Sequence, residues 1–242
     1  MKRILMIVFL SSLIWTVQAD APDDEQLLRA ISNKESPLYY PNLMMRYRDG
    51  KELSQEEYFH LYYGFAFSEK YRPLTTNTKM DEVQGILARL SIDQPSIRDL
   101  DELISATNEA MEHDPFSPKL LNILIFAYGA IGDKAREEVF SRHLNGIFST
   151  IESSGNGLKE KSAMHILMFS HAEDLIASKG WKHLKGRIIS RSVEFLPFDF
   201  PHNKVKGYYF DYSRIYRNKP EGYVFHRDRT WQFNNLKPRA YK

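Results

Sequence analysis

The spacing of apolar residues changes once along the chain, at the flexible Ser-Gly-Asn-Gly segment at 154–157. Before this segment, apolar residues recur every three or four positions, as an amphipathic helix requires. After it, stretches rich in Tyr, Phe and Val follow the pattern of half-buried strands. A run of helices followed by a run of strands is typical of an α+β fold. We therefore predict an N-terminal antiparallel helical layer followed by a small antiparallel β-sheet.

Capping residues and prolines locate several helix ends. Ser54 and Glu57 have the spacing of a capping box, in which each side chain accepts a hydrogen bond from the other residue's backbone amide. Ser117 precedes Pro118, so we expect it to cap a helix that starts with proline, and we expect Gly132 to end that helix. Apolar spacing and these signals predict helices over 23–33, 41–48, 54–67, 80–90, 95–114, 117–131 and 133–153.

The strand predictions lie in the last part of the chain. Residues 188–195 alternate, and residues 206–215 and 222–233 are rich in Tyr, Phe and Val. The sequence Lys-Pro-Glu-Gly at 219–222 predicts a turn between the last two. Residues 163–169 are compatible with a strand or a helix, because their periodicity favours neither.

The first residues have the layout of a secretory signal peptide. Lys2 and Arg3 precede the apolar run Ile4–Trp15, and a small-x-small pattern ends at Ala19. The run is shorter than the roughly 20 residues that a membrane-spanning helix needs. We predict cleavage near Ala19 or Ala21, and an uncleaved N-terminal anchor is the alternative.

The chain has no cysteine, which excludes disulfides, thiolate metal sites, cysteine nucleophiles and the lipid-bearing cysteine of a bacterial lipoprotein. We therefore expect a periplasmic or extracellular protein with no integral membrane segment after processing. The predicted layout is a signal peptide at 1–21, a helical region at 22–154 and a β-rich region at 155–242 that packs on the helices.

The charge of the chain is balanced overall but unevenly distributed. The sequence holds 33 Lys and Arg against 31 Asp and Glu, yet residues 201–242 hold ten basic and three acidic residues, interleaved with ten aromatic ones. In an exported protein this composition suits an anionic glycan, a lipid headgroup or an acidic partner rather than nucleic acid. The favoured alternative is a basic sheet that packs on the more acidic helices, with its aromatic residues in the interface.

The stretch Ala106–Leu144 resembles a tetratricopeptide repeat. Ala110, Tyr128 and Gly132 stand at positions that the repeat pattern requires. The chain departs from the pattern at Glu137, where the repeat has a small residue. Only about one and a half repeats are visible, whereas a stable solenoid needs about three. An ordinary antiparallel helix pair is an equal alternative.

Short aromatic and polar motifs recur through most of the predicted mature chain. They are Tyr39-Tyr40-Pro41, Leu43, Arg46-Tyr47, His60–Phe65, Tyr71-Arg72-Pro73, Ser154–Gly157, His165-Ile166 and Gly207–Asp211. In these motifs the chain resembles an uncharacterised family of exported proteins from Bacteroidetes-type bacteria, domain of unknown function 4919. The resemblance implies export and one shared fold, and it implies no activity.

The candidate polar site consists of His165, His171 and Glu173. On a strand followed by a turn, His171 and Glu173 face the same side, about one strand length from His165. Three such groups can hold zinc and leave a fourth position for water, but their spacing matches no standard metal motif. We therefore predict no metal and no cofactor, and packed or solvated histidines are the favoured alternative.

Aromatic residues are dense between 39 and 71, and Tyr62 and Tyr63 are the ones that we select as possible ligand contacts. Because tyrosine offers apolar area with one polar tip, such a set could line a ligand groove. The favoured alternative is that most of them pack the first helices together. The residues are Tyr39, Tyr40, Tyr47, Tyr58, Tyr62, Tyr63, Phe65, Phe67 and Tyr71.

The chain contains no sequence motif of a known activity, since nucleophile-elbow, phosphate-loop and HExxH patterns are absent. We predict a non-enzymatic binding or protein-interaction module of the cell envelope, with an unknown protein or glycan as its ligand. One alternative is an envelope or glycan-directed hydrolase centred on His165, His171 and Glu173. Another is a purely structural envelope component. A pocket that gathers the three residues would favour the hydrolase, and their dispersal would favour the binding module.

Overall fold

A computed structural model of the protein describes residues 21–91 and 94–218. The helices in this part of the chain are α1 (Asp24–Ser32), α2 (Tyr40–Arg48), α3 (Gln55–Gly64), α4 (Lys79–Arg89), α5 (Ile97–Met111), α6 (Pro118–Ile131), α7 (Lys134–Ser153), α8 (Phe169–Ser178) and α9 (Ser213–Arg217), with 3₁₀ turns at Phe65–Phe67 and Glu160–Ser162. The strands are β1 (Met164–His165), β2 (Arg187–Ile188), β3 (Val193–His202) and β4 (Val205–Asp211). The helices lie mostly before the strands, so the predicted α+β class is confirmed.

The capping signals in the sequence act as predicted. The Ser54 hydroxyl accepts from the Glu57 amide at 3.2 Å, and the Ser54 amide donates to the Glu57 carboxylate at 2.7 Å. Ser117 caps α6, which begins at Pro118 and ends at Gly132 with a φ of 85°. Glycine adopts this left-handed conformation without the steric cost that a side chain brings.

The sheet is mixed: two of its three strand pairings are antiparallel, as predicted, and the third is parallel. Its strand order is β1-β4-β3-β2. Strands β3 and β4 form an antiparallel hairpin around Asn203 and Lys204, which have φ values of 50° and 69°. Strand β1 pairs with β4 in parallel, with His165 opposite Asp211. A parallel pair cannot be joined by a hairpin, and here α8 and two strands separate the two partners.

The strand predictions differ from the structure in their boundaries. Residues 163–169 contain both alternatives, because β1 lies inside them and α8 begins at their end. Within 206–215 the strand stops at Asp211, whose carboxylate accepts from the Ser213 amide at 2.7 Å, and α9 follows. This short-range bond to a nearby amide turns the chain out of the strand. The predicted strand at 222–233 and the turn before it lie outside the described residues.

Two hydrophobic cores meet at α6. The larger one lies between the helices and the sheet and includes Leu121 of α6 and Phe210 of β4. The smaller one is formed by α4, α5 and α6 and includes Leu103 and Leu120. Because Leu120 and Leu121 are adjacent, they point to different sides of α6. Helix α6 therefore joins the two cores.

Helix α3 lies in the larger core and carries much of its aromatic content. A Cβ atom on Gly146 of α7 would lie 2.6 Å from the Tyr58 ring, so the absence of a side chain lets the two helices approach closely. Tyr40 and Phe67 keep part of their surface exposed. The prediction that most aromatic residues between 39 and 71 pack the first helices is confirmed by the burial of Tyr47, Tyr58, Tyr62, Tyr63, Phe65 and Tyr71.

Candidate functional site

The five site residues chosen from the sequence lie in different environments. Tyr62 and Tyr63 lie on α3, His165 ends β1, and His171 and Glu173 lie on α8. His171 and Glu173 were expected to face the same side after a strand. Both lie on a helix instead, and residues two apart on a helix point to different sides. His171 is fully buried whereas Glu173 is exposed. Glu173 consequently does not join His171 in one site.

His171 lies in the middle of a buried chain of hydrogen bonds. Its Nε2 is 2.9 Å from Asp114 Oδ2, and its Nδ1 is 2.7 Å from the Tyr62 hydroxyl. An ionised carboxylate only accepts, so Nε2 donates to Asp114 and Nδ1 accepts from Tyr62. The Tyr62 oxygen accepts in turn from the Leu167 amide at 3.2 Å. These hydrogen bonds connect α3 with α8. Because Tyr62 and His171 are both 0% exposed, a substrate cannot reach them.

Tyr58, one turn before Tyr62 on α3, makes a similar bond to a second buried histidine. Its hydroxyl is 2.8 Å from Nδ1 of His143, and Nε2 of His143 is 3.0 Å from the Tyr47 carbonyl. A carbonyl only accepts, so Nε2 carries the proton here as well. Burial lowers the pKa of His143 to about 4. This histidine is therefore a neutral connector between α3 and α7.

His165 lies in a polar cluster where the parallel strands β1 and β4 end. Its Nδ1 is 3.8 Å from Asp211 Oδ1 and accepts from Nη1 of Arg214 at 3.4 Å. Arg214 is 4% exposed, and its guanidinium contacts the Asp24 carboxylate and lies 5.2 Å from the Tyr63 ring centre. Burial and the Arg214 charge hold the pKa of His165 below its usual range, although Asp211 opposes this. His165 is thus neutral near pH 7.

A groove of about 560 Å³ lies between α2, the segment after α3 and the α5–α6 connection. We call it the methionine groove, because Met44, Met45 and Met111 line it and Met45 is 56% exposed. Tyr40 also lines it. Within the described part of the chain, the Tyr40 hydroxyl is buried and has no hydrogen-bond partner. Burial raises the pKa of Tyr40, so this hydroxyl keeps its proton and remains a donor.

Charged side chains surround the methionine groove. Arg48 and Lys70 approach the same carboxylate, that of Glu112, at 3.9 and 3.3 Å. Asp49 and Glu69 add negative charge to the lining. Exposed ion pairs of this kind contribute little to stability. Arg48, Lys70 and Glu112 could therefore leave these ion pairs at little cost and contact a charged group of a ligand.

Two other clefts share Lys119 in their linings, with volumes of about 610 and 310 Å³. In the larger one Asp174 accepts from the Lys119 amide at 3.3 Å, and burial raises the pKa of Asp174. In the smaller one Thr75 and His113 bond to each other at 2.8 Å. These polar groups already have partners. Among the described residues, no group of three His, Cys, Asp or Glu side chains is placed to hold a metal ion.

Reasoning from the sequence missed Asp114 as a partner of His171, and it missed the methionine groove. The spacing of Tyr58 and Tyr62 was a usable signal, because residues four apart lie on one face of a helix. That spacing does not reveal which histidines they meet. For the groove there was no comparable signal, since Met44 and Met45 read as ordinary helix positions.

The fold and its polar contacts define a mixed α+β protein in which tyrosine–histidine bonds tie the helices to one another and to the region of the sheet. In the part that the structure describes, no helix is long and apolar enough to cross a membrane. Residues 25–221 match a domain of unknown function, DUF4919, and the chain belongs to this family. The resemblance of its sequence motifs to that family is thereby confirmed. No curated protein and no solved structure matches the chain.

Proposed function

We propose that this protein is an exported binding module and that the methionine groove holds its ligand. The observation that carries the proposal is the hydroxyl of Tyr40, a residue that lines this groove: it is buried and has no hydrogen-bond partner among the described residues. A buried donor without an acceptor costs about 1–3 kcal/mol. A ligand that brings an acceptor would remove this cost on binding.

The groove suits a segment of polypeptide. Methionine side chains are flexible and polarizable, so Met44, Met45 and Met111 can adapt to apolar side chains of different shapes. The Tyr40 hydroxyl needs an acceptor, and every residue of a peptide carries a backbone carbonyl. The charges of both signs around the groove would contact polar groups on either side of the apolar side chain. We therefore assign as ligand a peptide segment of a partner protein, with an apolar side chain at its centre.

The hydrolase alternative has less support from the geometry. A catalytic group must reach the substrate, but His171 is fully buried and both of its ring nitrogens are bonded. Glu173 is exposed, and Nδ1 of His165 accepts from Arg214. The dispersal of these three residues supports the binding module.

We further propose that the protein works outside the cytoplasm. A positively charged start, the apolar run Ile4–Trp15 and the small residues that end at Ala19 support a signal peptide cleaved near Ala19 or Ala21. The processed chain would be free in the periplasm or secreted, because it has no cysteine to carry a lipid. The tetratricopeptide-like pattern of Ala106–Leu144 agrees with a role in protein interaction.

Nuclear magnetic resonance of methionine methyl groups tests the groove. The protein is labelled with ¹³C at these methyl groups and titrated with acetylated pentapeptides that carry Leu, Phe or Met between serines, with a pentaserine peptide as the control ligand. We expect shifts at Met44, Met45 and Met111. The internal controls are Met164 and Met168, which lie buried in the larger core at 2% and 6% exposure and should not shift.

Two variants refine the same experiment. Tyr40→Phe removes the hydroxyl and keeps the ring, so it should weaken peptide binding about three- to tenfold, the effect of one hydrogen bond. Met45→Lys should weaken it further, and its matched control is Met80→Lys, which changes a half-exposed methionine of α4. Equal shifts at groove and core methionines, or full affinity in Tyr40→Phe, would contradict the assignment of the groove.

A further inference from the structure

A buried arginine joins α9, the last helix of the described residues, to the start of α1. Nη2 of Arg214 donates to the Pro22 carbonyl at 2.8 Å and also binds Oδ1 of Asp24, while Nη1 of Arg217 binds Oδ2 of Asp24. The side chain of Arg214 is 4% exposed, whereas that of Asp24 is 28% exposed. One carboxylate therefore receives two guanidinium groups at a place that solvent can reach.

The guanidinium of Arg214 is held in position without using all of its donors. Nη1 donates to His165, and the Tyr63 ring packs against the guanidinium plane. Nε is buried and has no hydrogen-bond partner among residues 21–91 and 94–218. A fixed guanidinium with free donor capacity is well suited to a carboxylate, which arginine can bind through two parallel hydrogen bonds.

Among the described residues, the charges around this arginine balance only while Asp24 is in place. Two cations, Arg214 and Arg217, face two carboxylates, Asp24 and Asp211, and His165 is neutral while its Nδ1 accepts from Arg214. Without the Asp24 carboxylate, one positive charge would remain uncompensated beside a buried guanidinium. An uncompensated buried charge is strongly unfavourable, so the vacated position would attract an anion.

We propose that Arg214 and Arg217 form a binding site for a carboxylate group, which Asp24 fills in this structure as an internal ligand. Residues 22–24 then act as a strap that must leave before the carboxylate of an acidic ligand can enter. The strap directly follows the predicted cleavage positions, so in a processed chain only a short terminal segment has to move. This site is separate from the methionine groove and does not depend on it.

Chemical rescue tests the proposal. Asp24→Ala empties the carboxylate position, and its matched control is Glu25→Ala, which removes the neighbouring exposed carboxylate that pairs with Arg29. Thermal unfolding is measured in sodium formate and in sodium chloride at equal ionic strength. We expect formate to raise the midpoint of Asp24→Ala saturably, by at least about 3 °C more than chloride does. The wild type and Glu25→Ala should respond equally to the two salts.

Two further variants keep the proposal testable. Arg214→Lys, combined with Asp24→Ala, removes the planar donors and should abolish the advantage of formate. Arg217→Ala loosens the strap by removing a side chain that is 58% exposed, so this variant folds without leaving a buried charge. In Arg217→Ala, formate should accelerate hydrogen exchange at the amides of Glu25 and Gln26 more than chloride does, because it displaces the strap.

The proposal would be overturned if formate acted no better than chloride in both Asp24→Ala and Arg217→Ala. It would also be overturned if formate rescued the combined Asp24→Ala and Arg214→Lys variant as well as it rescued Asp24→Ala alone. In either case the contact of Arg214 with Asp24 would be an ordinary structural ion pair. If Asp24→Ala does not fold, the exchange measurement on Arg217→Ala decides by itself.

Discussion

The regions around His143 and His171 share one local arrangement and differ in what lies beyond the histidine. In each region a tyrosine of α3 donates to Nδ1 of a buried histidine, and Nε2–H points to an acceptor. That acceptor is the Tyr47 carbonyl for His143 and the Asp114 carboxylate for His171. A carbonyl is a neutral acceptor, whereas a carboxylate makes shorter and stronger hydrogen bonds. The two networks therefore share one pattern of bonds and differ in the strength of the last bond.

The two regions also connect different parts of the molecule. The His143 bonds hold α3 against α7 and α2, inside the helical layer. The His171 bonds reach from α3 to α8, and Tyr62 also accepts from Leu167, which follows β1. The second network thus spans the junction between the helical layer and the β-containing part. Three experiments test this difference between the two networks, and their expected effects decrease from the first to the third.

The largest expected effect is that of Asp114→Ala. This variant removes the acceptor of His171 and also the carboxylate that accepts from the Phe116 amide at 3.2 Å. The variant leaves two buried donors without an acceptor, each at a cost of about 1–3 kcal/mol, and we expect a loss of about 4 kcal/mol in urea unfolding. The control is Asp101→Ala on the exposed face of α5, which should change stability by less than about 0.5 kcal/mol. A loss below about 1 kcal/mol in Asp114→Ala would contradict the structural role of this pair.

The second-largest expected effect is the loss of stability on acidification, through the His143 region. The pKa of His143 is about 4 in the folded protein and 6.5 in an unperturbed histidine, so the unfolded chain binds this proton more tightly. The resulting stabilisation is complete above pH 6.5 and is lost as the pH falls towards 4, by up to about 3 kcal/mol. Unfolding measured between pH 7 and 4 should show this loss, and His143→Gln should make it less steep. The lowered pKa of His165 acts in the same direction, so part of the slope will remain.

The smallest expected effect separates the two tyrosines of α3. Tyr62→Phe leaves both Nδ1 of His171 and the Leu167 amide without a partner, and it should cost about 2 kcal/mol. Tyr58→Phe leaves only Nδ1 of His143 unpaired, and it should cost about 1 kcal/mol. Both variants keep the aromatic ring, so each serves as the packing control for the other. Equal losses in urea unfolding would show that the second hydrogen bond of Tyr62 contributes nothing.

Local signals in the sequence predicted the parts of the fold that depend on neighbouring residues. The Ser54 capping box and the Gly132 helix end formed as expected, because each requires only groups within about one helical turn. The arrangement in which His171 and Glu173 face the same side after a strand was wrong, because α8 begins at Phe169 and contains both residues. Periodicity along 163–169 had not decided between a strand and a helix. The parallel pairing of β1 with β4 was not predicted either, since it depends on where a two-residue strand lies relative to a distant hairpin.

The candidate sites required the tertiary structure for a similar reason. Tyr62 was selected from the sequence, but its partner His171 is 109 positions away, and Asp114, which accepts from His171, is 52 positions away. The three residues come together only in the packed core. Packing also leaves the Tyr40 hydroxyl without a partner in the described part of the chain, and it places Arg214 against Asp24. Whether a polar atom is bonded depends on atoms from several elements, and no spacing along the chain records that.

The α+β class, most helix boundaries and the similarity to DUF4919 could be predicted from the amino-acid sequence, because they follow from periodicity, caps and short motifs along the chain. The packed structure was needed to show that the sheet is mixed. It was also needed to show which buried polar groups of the described residues are bonded in pairs and which have no partner, because a hydrogen bond in the core depends on distances of about 3 Å between residues far apart in sequence. Such distances are fixed only when the helices and the sheet pack together.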